Sequence, residues 1–422
     1  MRMSHAQMYA RLLAGDAAYN GRFFTGVLTT GIYCLPSCKA RKPLSENVRF
    51  FPSCEAARAA GLRPCKKCHP DDFARGADPV LETIETVVGE LRARPGDFAD
   101  TRAVVRRTGF GPTRAFELFR QHYHATPAEL LTRARLEAAK RQLTTTTDPL
   151  SDIAFGAGFE SLSGFHENFL RANGLTPAAY RELNDVSAFT LKLPRGYPLP
   201  YLRRALSRDP HSVTERLDND VYSCAVRLAE TPVRLRLKLA PTSVNVGIVD
   251  AGDVRPPAFT AIHAVVVGLL GLDQDAEAFS RLARKLGLAR LVAGRPGLRI
   301  SQVASVYDGL LWSIIGQQIN FPFACLLRRR LTELAGTPVG DGLYAPPTPA
   351  AVAALDPAAL RPLQFSRQKA EYVVATSQLV AAGKLDLGAL AQMSATRAER
   401  TLLAVRGLGP WSVNYLMMRA LG

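Results

Sequence analysis

The chain lacks any apolar run able to cross a bilayer. Its most apolar stretch, residues 256–272, includes His263 and falls short of the ~20 residues that a membrane helix needs. No basic-then-apolar signal segment opens it, so export is not expected. Acidic residues are few beside basic ones: 37 Asp and Glu against 53 Lys and Arg leave a net charge of +16. That balance favours a polyanionic partner, nucleic acid before an acidic membrane. Cysteine is present as an odd seven without an export signal, which points to reduced thiols in the cytoplasm rather than a disulfide framework. With 47% hydrophobic and 21% charged residues, wholesale disorder is excluded, and 422 residues suffice for two to four domains of ~100–200 each.

Both halves of the chain are basic. Residues 1–185 hold 25 basic and 20 acidic side chains, and residues 186–422 hold 28 and 17. The first ~75 residues are rich in Cys, Gly and Pro, as suits a small, loop-rich domain that needs a staple. From Pro79 to Leu183 the pattern turns helical and repeats: Gly109-Phe110 recurs as Gly158-Phe159, Phe116 as Phe165, and Thr126-Pro127 as Thr176-Pro177. The spacing predicts two copies of one helix-turn-helix unit. Residues 184–187 read as a linker. Alternating runs at residues 189–193 and 233–239 then predict a sheet with one wet, basic face. After about Ala261 the helical pattern resumes, broken by the Pro-rich loop at residues 345–349.

Cys34-x3-Cys38 and, 26 residues on, Cys65-x2-Cys68 form two close pairs, the arrangement that tetrahedral zinc wants. Four thiolates on one Zn²⁺ carry a net charge of about −2. A thiolate in such a site is a nucleophile at neutral pH, and alkylating one sulfur removes one negative charge, easing approach to DNA phosphates. Cys54, Cys224 and Cys325 have no nearby partner and are read as ordinary core cysteines.

The segment Thr29-Thr30-Gly31-Ile32-Tyr33-Cys34-Leu35-Pro36-Ser37-Cys38, with Ala40-Arg41 and Gly61-Leu62-Arg63-Pro64-Cys65-Lys66-Lys67-Cys68, closely resembles the zinc domain of the Ada family of methylation-damage sensors, over residues 5–72. The resemblance implies one Zn²⁺, both structural and nucleophile-activating, on Cys34, Cys38, Cys65 and Cys68. It also implies that Cys34 irreversibly accepts a methyl group from a DNA methylphosphotriester. Thr30, Arg41, Lys66 and Lys67 fall where phosphate contacts are expected; otherwise they are solvated surface.

Ser151-Asp152-Ile153-Ala154, Gly158-Phe159, Phe165, Phe169, Gly174 and Thr176-Pro177 resemble the AraC-type DNA-binding domain over residues 82–183. The second helix of each unit, at residues 112–123 and 161–172, is expected to enter the major groove. Phe116, Phe119, Phe165 and Phe169 are spaced to pack inward. Arg114, Glu117, Arg120, Ser161, Ser163, His166 and Glu167 are candidates to face DNA, or else a solvated surface.

Near the end stands Val405-Arg406-Gly407-Leu408-Gly409-Pro410-Trp411. A Gly-x-Gly hairpin lets backbone N–H groups of Gly407 and Gly409 approach a phosphate. With Trp312-Ser313-Ile314-Ile315-Gly316-Gln317-Gln318 upstream and Ser412-Val413-Asn414-Tyr415 after, the region 187–422 resembles helix-hairpin-helix DNA glycosylases of the AlkA type. Such an enzyme stacks a flipped, electron-poor base on electron-rich rings, and Trp411 and Tyr415, one turn apart, would line one wall. The other reading of this pair is plain hydrophobic core. The family's catalytic Asp lies beyond Leu421-Gly422, so truncation is expected, either of the record or of the gene; the alternative is a degenerate half kept for DNA binding. Nothing in sequence supports Asp308 or Asp341 as a substitute. Gln318 stands where the family often places a DNA-wedging residue. No Pro-Cys-His-Arg stretch is present, so repair of O6-alkylguanine is not expected.

The expected architecture is multidomain: a small α+β zinc domain (1–75), an all-α paired helix-turn-helix domain (80–183), a small α+β sheet domain (187–262) and an all-α helix-hairpin-helix domain (263–422). The expected function is a cytoplasmic DNA-alkylation response protein. Zinc-bound Cys34 takes a methyl group once, and the methylated protein activates repair genes. Its expected partners are double-stranded DNA (methylated backbone, promoter operator, alkylated bases) and RNA polymerase, with no membrane. The alternatives are a 3-methyladenine glycosylase whose N-terminal domains serve DNA binding, and a transcription factor with a purely structural zinc site.

Overall fold

The computed structural model describes residues 3–228, 230–249 and 258–422. Residues 250–257 of the expected sheet domain, and with them the start of the apolar stretch, lie outside the described residues. The chain forms two compact units, residues 1–89 and 90–422. No helix among the described residues is long and apolar enough to cross a membrane.

In the first unit, helix α1 (His5–Ala14) starts from a capping box made by Ser4 and Gln7. Strands β1 (Phe24–Val27), β2 (Ile32–Cys34), β3 (Val48–Phe51) and β4 (Arg63–Pro64) form one sheet in the order β3-β1-β2-β4, with helices α2 (Cys54–Ala59) and α3 (Pro70–Ala74) after β3 and β4. Alternation along β2 sorts its side chains. Tyr33 enters a small core with Phe24, Leu35, Phe51 and Leu62, while Cys34 joins Cys38 and Cys65 in a separate cluster. An apolar core this small does not fill a domain, and the sulfur cluster is the other half of its interior.

Helices α4 (Pro79–Ala93), α5 (Thr101–Arg107), α6 (Pro112–Tyr123), α7 (Pro127–Thr145), α8 (Leu150–Gly156), α9 (Leu162–Asn173) and α10 (Pro177–Arg181) follow. The repeated dipeptides have repeated causes. Gly109 (φ +70°) and Gly158 (φ +93°) make left-handed turns between α5 and α6 and between α8 and α9. Thr126 and Thr176 cap α7 and α10, with Pro at the first helical position where no N–H is needed. Phe119, Phe165 and Phe169 are fully buried, but Phe116 is only half-buried. The buried stripe of α6 runs through Ala115, Leu118, Phe119 and His122, and Phe116 sits at its edge.

Strand β5 (Ala188–Lys192), helix α11 (Leu199–Leu206) and strands β6 (Glu215–Asp218), β7 (Val221–Leu228), β8 (Thr231–Leu239) and β9 (Ser243–Ile248) build a sheet in the order β5-β9-β8-β7-β6, antiparallel throughout. Its basic face is only partly wet. Arg236 and Lys238 are exposed, but Arg234 is 7% exposed, paired with Asp341, and Arg227 donates to Pro346 O and Thr337. The partners come from the segment around strands β10 and β11 defined below, which sequence alternation cannot foresee.

Helices α12 (Phe259–Leu270), α13 (Ala276–Lys285), α14 (Val306–Ile315) and α15 (Phe321–Ala335), the short pair β10 (Thr337–Pro338) and β11 (Tyr344–Ala345), and helices α16 (Pro349–Ala353), α17 (Arg367–Ala381), α18 (Leu387–Gln392), α19 (Ala395–Leu403) and α20 (Pro410–Leu416) complete the chain. One core runs from Phe165 and Tyr180 through Leu183, Phe189 and the sheet to Val266. Residues 184–187 therefore do not separate two cores. At the junction His263, 2% exposed, shares a 2.7 Å hydrogen bond with Asn173 O and meets the rings of Tyr180 and Phe189.

Burial pushes the His263 pKa down to about 4. The native state refuses a proton that the unfolded chain accepts at about pH 6.5, so stability falls as pH drops from 6.5 towards 4, by up to about 3 kcal/mol. Urea melts of the native chain and of a His263→Gln variant across this range are expected to show that slope in the first and less of it in the second. Equal slopes would remove His263 as the cause.

Candidate functional sites

The four sulfurs of Cys34, Cys38, Cys65 and Cys68 all lie within 4.8 Å of one another, and Cys38 and Cys65 are 4.0 Å apart. Zinc–sulfur bonds of ~2.3 Å at tetrahedral angles put sulfurs about 3.8 Å apart, so a modest contraction brings all four onto one ion. The donor set is therefore that of a single Zn²⁺. Held only by one another, the sulfurs cannot all ionise. The Cys34 thiol is pushed far up, first by its hydrogen bond to Cys38, while Cys38 is drawn down by the same bond. A dication removes that conflict.

The surroundings distinguish the sulfurs. Leu35 N–H donates to Cys68 Sγ at 3.3 Å, Lys67 N–H donates to Cys65 Sγ at 3.4 Å, and a bond from the Ala40 backbone helps hold Cys38 down. Among the described residues no backbone N–H donates to Cys34, which is 7% exposed. A clamp behind β2 fixes its position: Tyr33 Oη donates to Asp71, Arg58 donates to Tyr33 Oη at 3.1 Å, and Arg58 pairs with Asp71 at 2.8 Å. Burial first, then the bond to Asp71, pushes the Tyr33 phenol up to about 12. Sequence reasoning missed this clamp because Arg58 and Asp71 carry no motif. It also missed Lys42, which donates to Cys38 O at 2.8 Å. Thr30 is exposed on the turn before β2, Arg41 just past Cys38, and Lys66 and Lys67 between the last two cysteines.

On α6, Arg114 pairs with Glu117 at 3.3 Å, and Glu117 and Arg120 are exposed. On the second unit Ser161 is the cap of α9, its hydroxyl accepting from Gly164 N–H, so the helix begins at Leu162 rather than at Ser161. Ser163 and Glu167 are exposed, and His166 is half-buried against Phe165.

At the hairpin, Gly407 has φ +96° and packs so closely on Tyr372 that a Cβ would lie 2.6 Å from its ring. Gly409 has open space around it and caps α20. Trp411 is 60% exposed and stacks on Tyr415 with ring centres 5.4 Å apart and planes 18° from parallel, so Trp411 is not core. A cavity of about 140 Å³ is lined by Tyr222, Asp308, Trp312, Phe321, Arg328 and Tyr415, among others. Asp308 is occupied there: Arg328 bridges it at 3.1 Å and Glu215 at 3.2 Å. Burial disfavours the Arg328 charge, and the two carboxylates outweigh that effect and keep it ionised. Asp341 is likewise paired, with Arg234.

Comparison with known proteins adds to this geometry. Residues 7–71 match the metal binding domain of Ada, residues 104–183 a helix-turn-helix domain, and residues 311–411 the HhH-GPD superfamily base excision DNA repair protein. A probable bifunctional transcriptional activator/DNA repair enzyme AlkA of Mycobacterium tuberculosis is 30% identical over 98% of this chain and 86% of its own. The bifunctional transcriptional activator/DNA repair enzyme AdaA of Bacillus subtilis is 31% identical over 43% of this chain and 84% of its own. A DNA-3-methyladenine glycosylase of the same organism is 27% identical over 57% of this chain and 81% of its own.

The two hairpin glycines are expected to differ sharply. Gly407→Ala meets both a left-handed backbone and the Tyr372 ring and costs about 3 kcal/mol. Gly409→Ala costs about 1 kcal/mol or less, as at a helix cap. Urea melts followed by tryptophan emission, which comes only from Trp312 and Trp411, report this region directly. Similar losses for the two variants would contradict the packing described.

Proposed function

Because the chain belongs to the family of bifunctional transcriptional activator/DNA repair enzymes that includes Ada and AlkA, we propose that Cys34 is a single-use methyl acceptor that turns DNA damage into promoter binding. Zinc bound by Cys34, Cys38, Cys65 and Cys68 supplies the two positive charges that let all four sulfurs stay thiolates. Cys34 carries the proposal because, among the described residues, its sulfur alone lacks a backbone donor. A hydrogen bond into a thiolate lone pair lowers its nucleophilicity, and Cys34 keeps its lone pairs free. Thr30, Arg41, Lys66 and Lys67, exposed on the flanking loops, hold the phosphate groups on either side of the lesion.

In the transfer, Cys34 Sγ attacks the methyl carbon of the phosphotriester. The S–C bond forms, the C–O bond breaks, and the electron pair leaves on the phosphate oxygen, which restores an anionic diester. The thioether has no route back, so each chain acts once. One negative charge is lost beside the loops that meet DNA, which strengthens binding to the phosphate backbone. The paired helix-turn-helix units, through Arg114, Arg120, Ser161, Ser163 and His166, then hold a promoter. RNA polymerase is the partner that activation requires.

A second activity is favoured by one observation: the exposed, stacked Trp411–Tyr415 pair beside the hairpin of Gly407 and Gly409. Such a pair offers a wall to a flipped alkylated base.

Incubation with DNA carrying methylphosphotriesters, followed by peptide mapping, is expected to place one methyl group on Cys34. None is expected on any residue of a Cys34→Ala chain. A methyl on another cysteine of the native chain would defeat the proposal. Release of 3-methyladenine by the Cys34→Ala chain would instead favour the glycosylase reading.

A further inference from the structure

One side chain joins the hairpin to the turn that follows α14. Gln317 Nε2 donates to Gly407 O at 2.7 Å and to Ser412 Oγ at 3.0 Å, which uses both of its hydrogens. Ser412 Oγ donates in turn to Ser313 O at 3.2 Å, so the start of α20 is tied to α14 as well. From the opposite side Lys369 Nζ donates to Gln317 O at 2.5 Å and to Ile314 O at 3.4 Å, closing the C-terminal end of α14. Burial draws the Lys369 amine below its usual range, so its charge is kept for those carbonyls rather than for solvent. The Tyr372 ring backs Gly407 and leaves it no room to retreat.

The product of this bracing is the next residue. Gln318 is exposed and sits at φ +54°, a left-handed conformation that a residue with a side chain holds only when its surroundings impose it. Gln317 cannot itself reach a DNA base, because its amide is spent on the hairpin.

We propose that Gln317 is a positioning residue that couples the phosphate-gripping hairpin to the exposed Gln318. Backbone N–H groups of the hairpin take a phosphate, and the Gln317 strut sets Gln318 at the level of the base stack beside it. The ligand class is duplex DNA with a missing or unstacked base. The coupling rests on the reading of the C-terminal half as a damaged-base recognition unit.

The test uses the full chain and a duplex with 2-aminopurine next to an abasic-site analogue, in excess undamaged duplex. Fluorescence enhancement reports unstacking, and anisotropy reports affinity. The native chain is expected to enhance the signal. Gln318→Ala loses most of the enhancement with affinity changed by no more than about threefold. Gln317→Glu keeps the shape but cannot donate, and its enhancement drops about five- to tenfold at pH 8. It returns below about pH 6, where the new carboxyl is protonated and can donate to Gly407 O again. That recovery, relative to the native chain at each pH, is what a merely structural role would not produce.

Native enhancement in Gln317→Glu at pH 8 overturns the coupling alone. So does a loss that tracks the folded fraction, read from tryptophan emission, with no recovery at low pH. No enhancement by the native chain, together with affinity indifferent to Gly407→Ala, overturns the damaged-base reading and the coupling with it.

Discussion

Four sulfur atoms within 4.8 Å of one another repel as thiolates and compete for protons as thiols. Only a cation among them lets all four be anions at once. The fold of residues 1–89 is arranged around that constraint: β2 delivers Cys34, the loop after it Cys38, and the turn after β4 delivers Cys65 and Cys68. With so few apolar side chains in the neighbouring core, this electrostatic staple contributes as much to the unit as packing does. The same constraint makes chemistry available. Charge that is stabilised by a metal but unevenly hydrogen-bonded leaves one sulfur more reactive than the rest, and methylating it changes the charge that faces DNA.

In residues 90–422 the organising feature is different. The second helix-turn-helix unit and the five-stranded sheet are built on one continuous core, pinned at His263. A buried imidazole that is neutral, bonded to Asn173 O and ringed by Tyr180 and Phe189 is a specific joint rather than a flexible hinge. Promoter-reading helices and the sheet that borders the cavity thus form a single mechanical body. A module boundary in sequence and a boundary in the hydrophobic core are separate things, and here they do not coincide.

The C-terminal helices show how a weak local motif gains meaning from its supports. A Gly-x-Gly turn is common. This one has a ring behind Gly407, a glutamine amide on its carbonyl and a lysine bracing the glutamine. The carboxylates that might have stood in for a catalytic acid are spent on Arg328 and Arg234, as buried guanidinium groups require.

Much was legible in sequence because it depends on short-range rules. Cysteine spacing, the Thr-Pro caps of α7 and α10, the left-handed glycines at 109 and 158 and the alternation of β8 each follow from the conformational preferences of a few neighbouring residues. The identity of the four clustered ligands belongs to this class. What tertiary structure alone decided involves partners far apart in the chain. Examples are Arg234 meeting Asp341, Arg328 holding Asp308, the clamp of Tyr33, Arg58 and Asp71, and the bond from Gln317 to Gly407. The half-burial of Phe116 and the exposure of Trp411 are of the same kind. Sequence pattern shows that a side chain is apolar or charged, but which surface covers it, and which ion it meets, depends on where the folded chain brings the other partner.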